Sequence, residues 1–524
     1  MWLNYPSFKV ILHTILRFYT FIFVRLKINN KIFFLALTVL SAFYFSSCKK
    51  DKIITDPSAT VRFSQDSILF DTVFTQIGSA TKNFRIINGN KQKIKISSIN
   101  LIKGNSSSFI VNVDGAPGKT FTDIEIAAND SMYVFVQVNI DPNNINSPFI
   151  VQDILEFNVN GNIQKVKLEA WGQNAYYHYP TDAIKFKDGS YLPYSLVDAL
   201  ASSYSVNGTT FTFNNDKPHV VYGYLVVDSL QKLIVQPGTR FFMNYKAGLW
   251  VYKDGEMKIQ GQLGNEVTFQ GARRESDYAD EPGQWDRIWI NEGSNHNEIN
   301  YAIIKNAYIG VQTEVIGNTI GGPGRLKLTN TKIQNMSMWG LYSLAYNIYG
   351  ANNVISNCQE YSVNLLLGGK YTFLHCTFAN YWEKDKARDK PTLFVNNHTT
   401  SQVLPLDSCY FGNCIIDGKL TNEIGLDLDY SNLSEQPNLI FSSTLFKTDM
   451  VITNPTIFIA NRKIDSEMNY MDRATYNFKP KDSEVKVKGF TDLKATQDAA
   501  KVANDIEGSA RNTSTVTVGA YQTN

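Results

Sequence analysis

The chain has 524 residues, 43% apolar, 19% charged and 13% aromatic. That is enough for two or more domains with real cores, and it excludes a disordered polymer, a collagen-like fibre and a polytopic membrane protein. Fifty Lys and Arg stand against 48 Asp and Glu, and residues 1–47 hold five of the bases and no acid, which leaves 45 bases against 48 acids, a net −3, beyond them. The remainder lacks the basic excess that nucleic acid demands, so no nucleic-acid partner is expected.

Residues 1–47 read as a leader. Lys27 and Lys31 precede an apolar run from Phe33 to Phe45 that is short for a bilayer span, and the small residues Ser46 and Ser47 precede Cys48. This pattern resembles a bacterial lipoprotein signal. The resemblance implies that the Cys48 thiol takes a diacylglycerol and becomes the mature N-terminus. Residues 8–26, apolar but interrupted by Arg17 and Arg25, stay open as a long basic region, an interfacial helix or an unused upstream start. Residues 48–58 read as a solvated tether. The run Ser47-Cys48-Lys49-Lys50-Asp51 resembles lipoproteins of the Bacteroidetes group. That implies lipid anchoring in the outer membrane, at the cell surface or on the periplasmic face.

Residues 59–174 alternate with period two at Phe84–Ile87, Ile94–Ile96, Tyr133–Val138 and Val166–Ala170, and turn residues such as Asn88-Gly89-Asn90 and Asn160-Gly161-Asn162 separate the runs. Short strands at this spacing predict an antiparallel β-sandwich. The order resembles Hydin-type Ig-like domains of bacteria, with Phe70–Val73 opening and Val166–Gly172 closing. Such a domain is a spacer or a binding module. Residues 175–215, aromatic and rich in turns, read as a connector.

From about residue 216 to 524 the informative feature is a repeat. Ala302–Asn306, Thr331–Asn335, Asn353–Asn357, Cys376–Asn380 and Cys409–Asn413 each read small–x–large apolar–x–Asn, mostly at 22 to 33 residues. A coil of about 22 residues suits one turn of a parallel β-helix. Asn306, Asn335, Asn357, Asn380 and Asn413 are expected to stack at one corner, because Asn tolerates the left-handed bend and its amides bond along the axis. Cys358, Cys376, Cys409 and Cys414 follow the same register and are expected as small buried stack residues, with Cys376 and Cys409 equivalent on neighbouring rungs. Leu233–Thr239, Gly248–Val251, Met257–Gly261 and Val267–Gly271, followed by Pro282–Trp285 and closed by Asp505–Arg511 and Val518–Tyr521, resemble right-handed β-helix lipoproteins of the pectate-lyase-like class. The fold expected is therefore all-β: an Ig-like β-sandwich followed by a right-handed parallel β-helix.

The class contains polysaccharide lyases, polysaccharide hydrolases and non-catalytic surface proteins. Lyases need calcium carboxylates and a base, and hydrolases need paired acids. The weak catalytic candidates are Arg273, Arg274, Asp277, Asp280 and Asp286. The weak metal candidates are Glu423, Asp427 and Asp429, which a strand would put on one face. In each case the plainer reading is a solvated loop or strand face, as it is for the charge run at residues 383–390. The expectation is a lipid-anchored envelope protein without catalysis, binding or scaffolding through its long flat faces. Its partners are the membrane through the lipid, and glycans or other envelope proteins. The alternative is a polysaccharide lyase or hydrolase. No cofactor is expected, and calcium enters only with the lyase alternative.

Overall fold

The computed structural model describes residues 52–524 except 144, 147, 200–204, 208, 316–323, 385, 433–435 and 524. The leader, Cys48 and most of the tether lie outside the described residues. The chain is all-β, 49% strand, with one α-helix among the described residues. The described residues divide into two compact units: those up to Ile68, with Thr81–Val136 and Asp153–Leu168, form one, and Leu69–Ala80, Gln137–Gln152 and those from Glu169 onward the other.

The first unit holds the greater part of two largely antiparallel sheets. One is built around Lys93–Leu101, which pairs with Thr120–Ile126 and with Phe149–Val159. The other runs Arg62–Phe63, Lys82–Ile87, Ser131–Val138, Phe109–Val113 and Ala116–Gly118. Alternate residues point inward, as period two requires. Phe63 and Phe84 of one sheet meet Phe157 of the other with ring centroids 4.6 and 6.3 Å apart.

The second unit is dominated by three long, mostly parallel sheets of 11, 10 and 11 strands, here called A, B and C. Sheet A runs from Tyr176–His178 to Arg462–Lys463, sheet B from Asp182–Lys185 to Ile424–Asp427, and sheet C from Ser205–Asn207 to Phe458–Ile459. The chain visits A, B and C in rotation, so each circuit lays one strand on each sheet. This is compatible with a parallel β-helix. Tyr176–His178, Tyr191–Leu196 and Thr210–Phe213, in the stretch expected as a connector, already belong to these sheets.

The inward side chains form columns. In sheet A, Phe241, Phe269, Ile304, Ile333, Ile355, Phe378, Ile416 and Phe446 lie in register. In sheet C, Phe373, Phe411, Phe441 and Phe458 stack with ring centroids 4.9 to 5.7 Å apart. Like side chains at the roughly 4.8 Å strand spacing pack face on face, and each buries about 2 kcal/mol of apolar surface.

The C-terminal segment closes the fold on a flank. Ile464, Met468, Tyr470, Phe478, Val487 and Phe490 pack with Val354, Ala379, Ile415 and Leu445, which point outward from sheet A. The helix α1, Leu493–Lys501, is capped by Asp492, whose side chain accepts from the Ala495 amide at 3.0 Å. It lies against sheet C, where Tyr410 donates its hydroxyl to Asp498.

Candidate ligand-binding faces and the corners that hold them

Each circuit turns at single residues in the left-handed region, where Asn is the side chain of least strain. Asn306, Asn335 and Asn357 do this at the end of sheet A, with φ of 64°, 63° and 49°. Asn380 is next in register but continues the strand; its amide donates to the Cys358 and Glu360 carbonyls, both at 2.9 Å. The amide-to-amide ladder here is one bond long, Asn335 Nδ2 to Asn306 Oδ1 at 2.7 Å. Asn413 is not in this column. Its strand, Leu406–Gly412, belongs to sheet C, with Phe411 beside Phe373, so Asn413 sits at the corner between sheets C and A, 3.0 Å from His375 Nε2.

That second corner carries its own column: Asn330, Asn352, His375 and Asn413, with φ of 51°, 56°, 50° and 54°. Asn352 donates to Asn330 at 3.0 Å, and Asn330 to Asn300 at 2.9 Å. Sequence reading missed it because both corners ask for the same residue. The available clue was the 22-residue step from Asn330-Thr331 to Asn352-Asn353, each a bend residue followed by a small polar one.

The cysteines follow from this. Cys358, Cys376, Cys409 and Cys414 are free and buried. The first two residues of the sheet A strands show that Cys376 pairs in register with Cys414, not with Cys409; Asn353 precedes them and Thr444 follows. Cys409 is inward on sheet C, between Tyr371 and Leu439.

The weak catalytic candidates do not converge. Arg273 pairs with Glu275 at 3.0 Å and lies 3.9 Å over the Tyr278 ring. Arg274 lies 4.6 Å over Phe242. Among the described residues Asp277 accepts from Ser276 alone, at 3.4 Å, and is exposed, as is Asp280. The loop itself is pinned by the first corner: Asn306 Nδ2 donates to the Ala279 carbonyl at 2.8 Å, and Asn335 Nδ2 to the Asp280 carbonyl at 2.7 Å.

The metal candidates are also separate. Glu423 is fully buried and bonded to Arg388, Thr392 and the Leu420 amide. A strand face does not collect the three acids, because Glu423 precedes the strand Ile424–Asp427 and is taken up by Arg388. Asp427 faces His398 at 3.2 Å and Asn396 at 3.1 Å, and Asp429 accepts from the Ser431 amide at 2.7 Å. Among the described residues no three His, Cys, Asp or Glu side chains group as a metal would require.

Only Asp286 joins a larger array, on the outer face of sheet B. There Trp250, Trp289, Gln312, Tyr342, Asn364 and Phe394 form one outward column. Trp250 and Trp289 stack with centroids 4.8 Å apart. Tyr224 donates to Asp286 Oδ2, and Arg287 pairs with Asp286 Oδ1 at 2.9 Å and donates to Gln312. Gln312 donates to Glu314 Oε2 at 2.5 Å, Asn291 to Glu314 Oε1 at 3.1 Å, and Trp250 Nε1 to Asn291 at 2.5 Å. Every oxygen of the two carboxylates therefore has a protein donor. Gln312 and Glu314 were missed as site residues; their clue was period-two polarity in Ile309–Glu314.

No protein-family model matches the chain, and no curated protein matches it in sequence. Among solved structures, the Vibrio cholerae VesB protease aligns at 12% identity over 22% of this chain and 31% of its own, with a TM-score of 0.16. A family 123 glycoside hydrolase from Clostridium perfringens aligns at 12% identity over 21% and 23%, with a TM-score of 0.14. The E. coli chaperone DraB aligns at 6% identity over 27% and 82%, with a TM-score of 0.16. The chain spans under a third of the first two proteins.

Proposed function

We propose that the protein is a lipid-anchored component of the outer membrane in which a right-handed, pectate-lyase-like parallel β-helix is displayed on an Ig-like domain, and that it works by binding, without catalysis. The observation that supports the non-catalytic reading is the engagement of Asp286 and Glu314 by neighbouring side chains. A general acid or base must exchange a proton with substrate, and a nucleophilic carboxylate must reach it. Here four protein donors hold the four oxygens. This network orders the face of sheet B as a polar-aromatic surface.

The lyase or hydrolase alternative is tested by incubating the full chain with uronic-acid and neutral polysaccharides, with and without calcium. No new reducing ends or unsaturated products are expected. Cleavage that disappears in Asp286→Asn or Glu314→Gln would replace the binding reading with an enzymatic one. The anchor is tested by mass analysis of the mature N-terminus, where a diacylglycerol on Cys48 is the expected result and an unmodified thiol would refute it.

A further inference from the structure

Sheet C carries a groove unlike either face described above. Its volume is about 770 Å³, within the range of small-ligand sites, and it is built from two outward columns. One column runs Gln236, Gln260, Asn300, Thr329, Ala351 and Leu374. Side-chain length falls along it, so Thr329 and Ala351 make a low floor. Leu374 is then covered by Val502, just beyond α1. The other column runs Lys258, Glu298, Lys327 and Tyr349 and forms a side wall. Pro237 and Gln262 close one end, and Lys501 and Val502 the other.

The lining chemistry is selective. Its charges are each paired within the protein: Lys327 with Glu298 at 3.3 Å, Lys258 with Glu298 and Glu256 both at 3.5 Å, and Lys501 with Asp498 at 2.8 Å. The Asn amides are used in the corner ladder. The carboxamides of Gln236, Gln260 and Gln262 are the unanswered groups, since none bonds a described residue. A carboxamide presents a donor and an acceptor side by side, which suits the adjacent hydroxyls of a sugar. Gln236 and Gln260 are one rung apart, about 4.8 Å, so they can engage successive parts of one extended chain. The Tyr349 ring offers an apolar edge for sugar C–H groups. Unanswered amides beside charges that already have partners favour a ligand without charge.

We propose that this groove binds a neutral oligosaccharide segment, with Gln236, Gln260 and Gln262 meeting its hydroxyls above a floor of Thr329 and Ala351. This rests on the binding reading and adds the ligand class and its place. The test is titration calorimetry of the full chain, carrying Cys48→Ser for solubility, with maltohexaose, cellohexaose, xylohexaose and mannohexaose, and in parallel a wide immobilised glycan array. At least one hexasaccharide is expected to bind saturably. Gln236→Ala with Gln260→Ala is expected to weaken it about tenfold or more, the loss of one or two net hydrogen bonds. Ala351→Phe, which fills the floor and removes no partner, is expected to abolish it. Circular dichroism and melting confirm that each variant is folded. Binding that ignores both groove variants, or that falls only with Trp289→Ala, overturns the groove and leaves the binding reading standing. Silence from all four hexasaccharides also overturns the groove, and silence across the array overturns it too and leaves the binding reading to a protein partner.

Discussion

Arg388 and Glu423 form a forked ion pair, Nη2 to Oε1 at 2.6 Å and Nη1 to Oε2 at 2.8 Å, with side chains only 2% and 0% exposed. The carboxylate also accepts from the Thr392 amide at 2.9 Å and the Thr392 hydroxyl at 2.7 Å. Burying both charges is costly, and the fork with its extra donors offsets that cost; leaving one charge alone does not. Glu423→Ala is therefore expected to destabilise the protein by about 3–5 kcal/mol, and Arg388→Ala by a similar amount. The double variant is expected to cost less than the sum of the two. Chemical denaturation checks this. Additive losses would show that the pair is not coupled.

His178 and His219 share a hydrogen bond, Nε2 to Nδ1 at 3.0 Å, inside a stack where His219 lies between Phe213 and Phe241. The Asn214 carbonyl lies 3.2 Å from His219 Nε2, so that nitrogen carries the proton and Nδ1 accepts from His178. Burial pushes His219 down to about 4 and His178 well below its ordinary range; His178 itself and the more distant Asp216 are the titratable neighbours. Both rings are neutral when folded and protonate readily when unfolded. Their contribution is full above the unfolded value of 6.5 and is lost as pH falls from there through about 4. For His219 alone the loss amounts to about 3 kcal/mol. Unfolding free energies measured from pH 8 to pH 4 are expected to fall more steeply for the natural protein than for His219→Phe, which keeps the stack. Parallel curves would refute it.

Asn335 does two things at one corner. It holds a φ of 63°, and its amide ties the Asp280 carbonyl to Asn306. Asn335→Ala is expected to cost about 2–4 kcal/mol, combining left-handed strain with two lost hydrogen bonds. Asn335→Gly is expected to recover about 1 kcal/mol, the strain alone. In both variants amide exchange should accelerate in residues 276–284. Unchanged exchange there would show that the loop is held by something else.

The inward columns were legible because stacked parallel strands repeat one side-chain class at one register, and that survives in sequence as alternation at a steady interval. The corners were legible only in kind. Asn serves at two of the three bends of a circuit, so small–x–large–x–Asn matched Cys409–Asn413 although that strand lies on sheet C. Arg388–Glu423 was not legible: a mixed charge run resembles a solvent loop when the partner is 35 residues away. The groove on sheet C was equally hidden, since its shape comes from a size gradient across strands separated by whole circuits.

The cysteines test the corrected register directly. Cys376 and Cys414 share one column, with Cys414 Sγ donating toward the Phe373 carbonyl at 3.4 Å, whereas Cys409 packs between Tyr371 and Leu439. Burial pushes the Cys358 thiol up to about 12 and raises Cys409 and Cys414 as well. In the folded Cys48→Ser chain at pH 8, a thiol reagent is expected to label none of the four, and all four once guanidinium is added. Cys→Ala substitutions should each cost about 1–2 kcal/mol through the space they leave. Neighbours in one column share that space, so Cys376→Ala and Cys414→Ala should couple by about 0.5 kcal/mol or more, while Cys376→Ala and Cys409→Ala should simply add. The reverse pattern would restore the pairing of Cys376 with Cys409 and shift the strand Leu406–Gly412 from sheet C to sheet A.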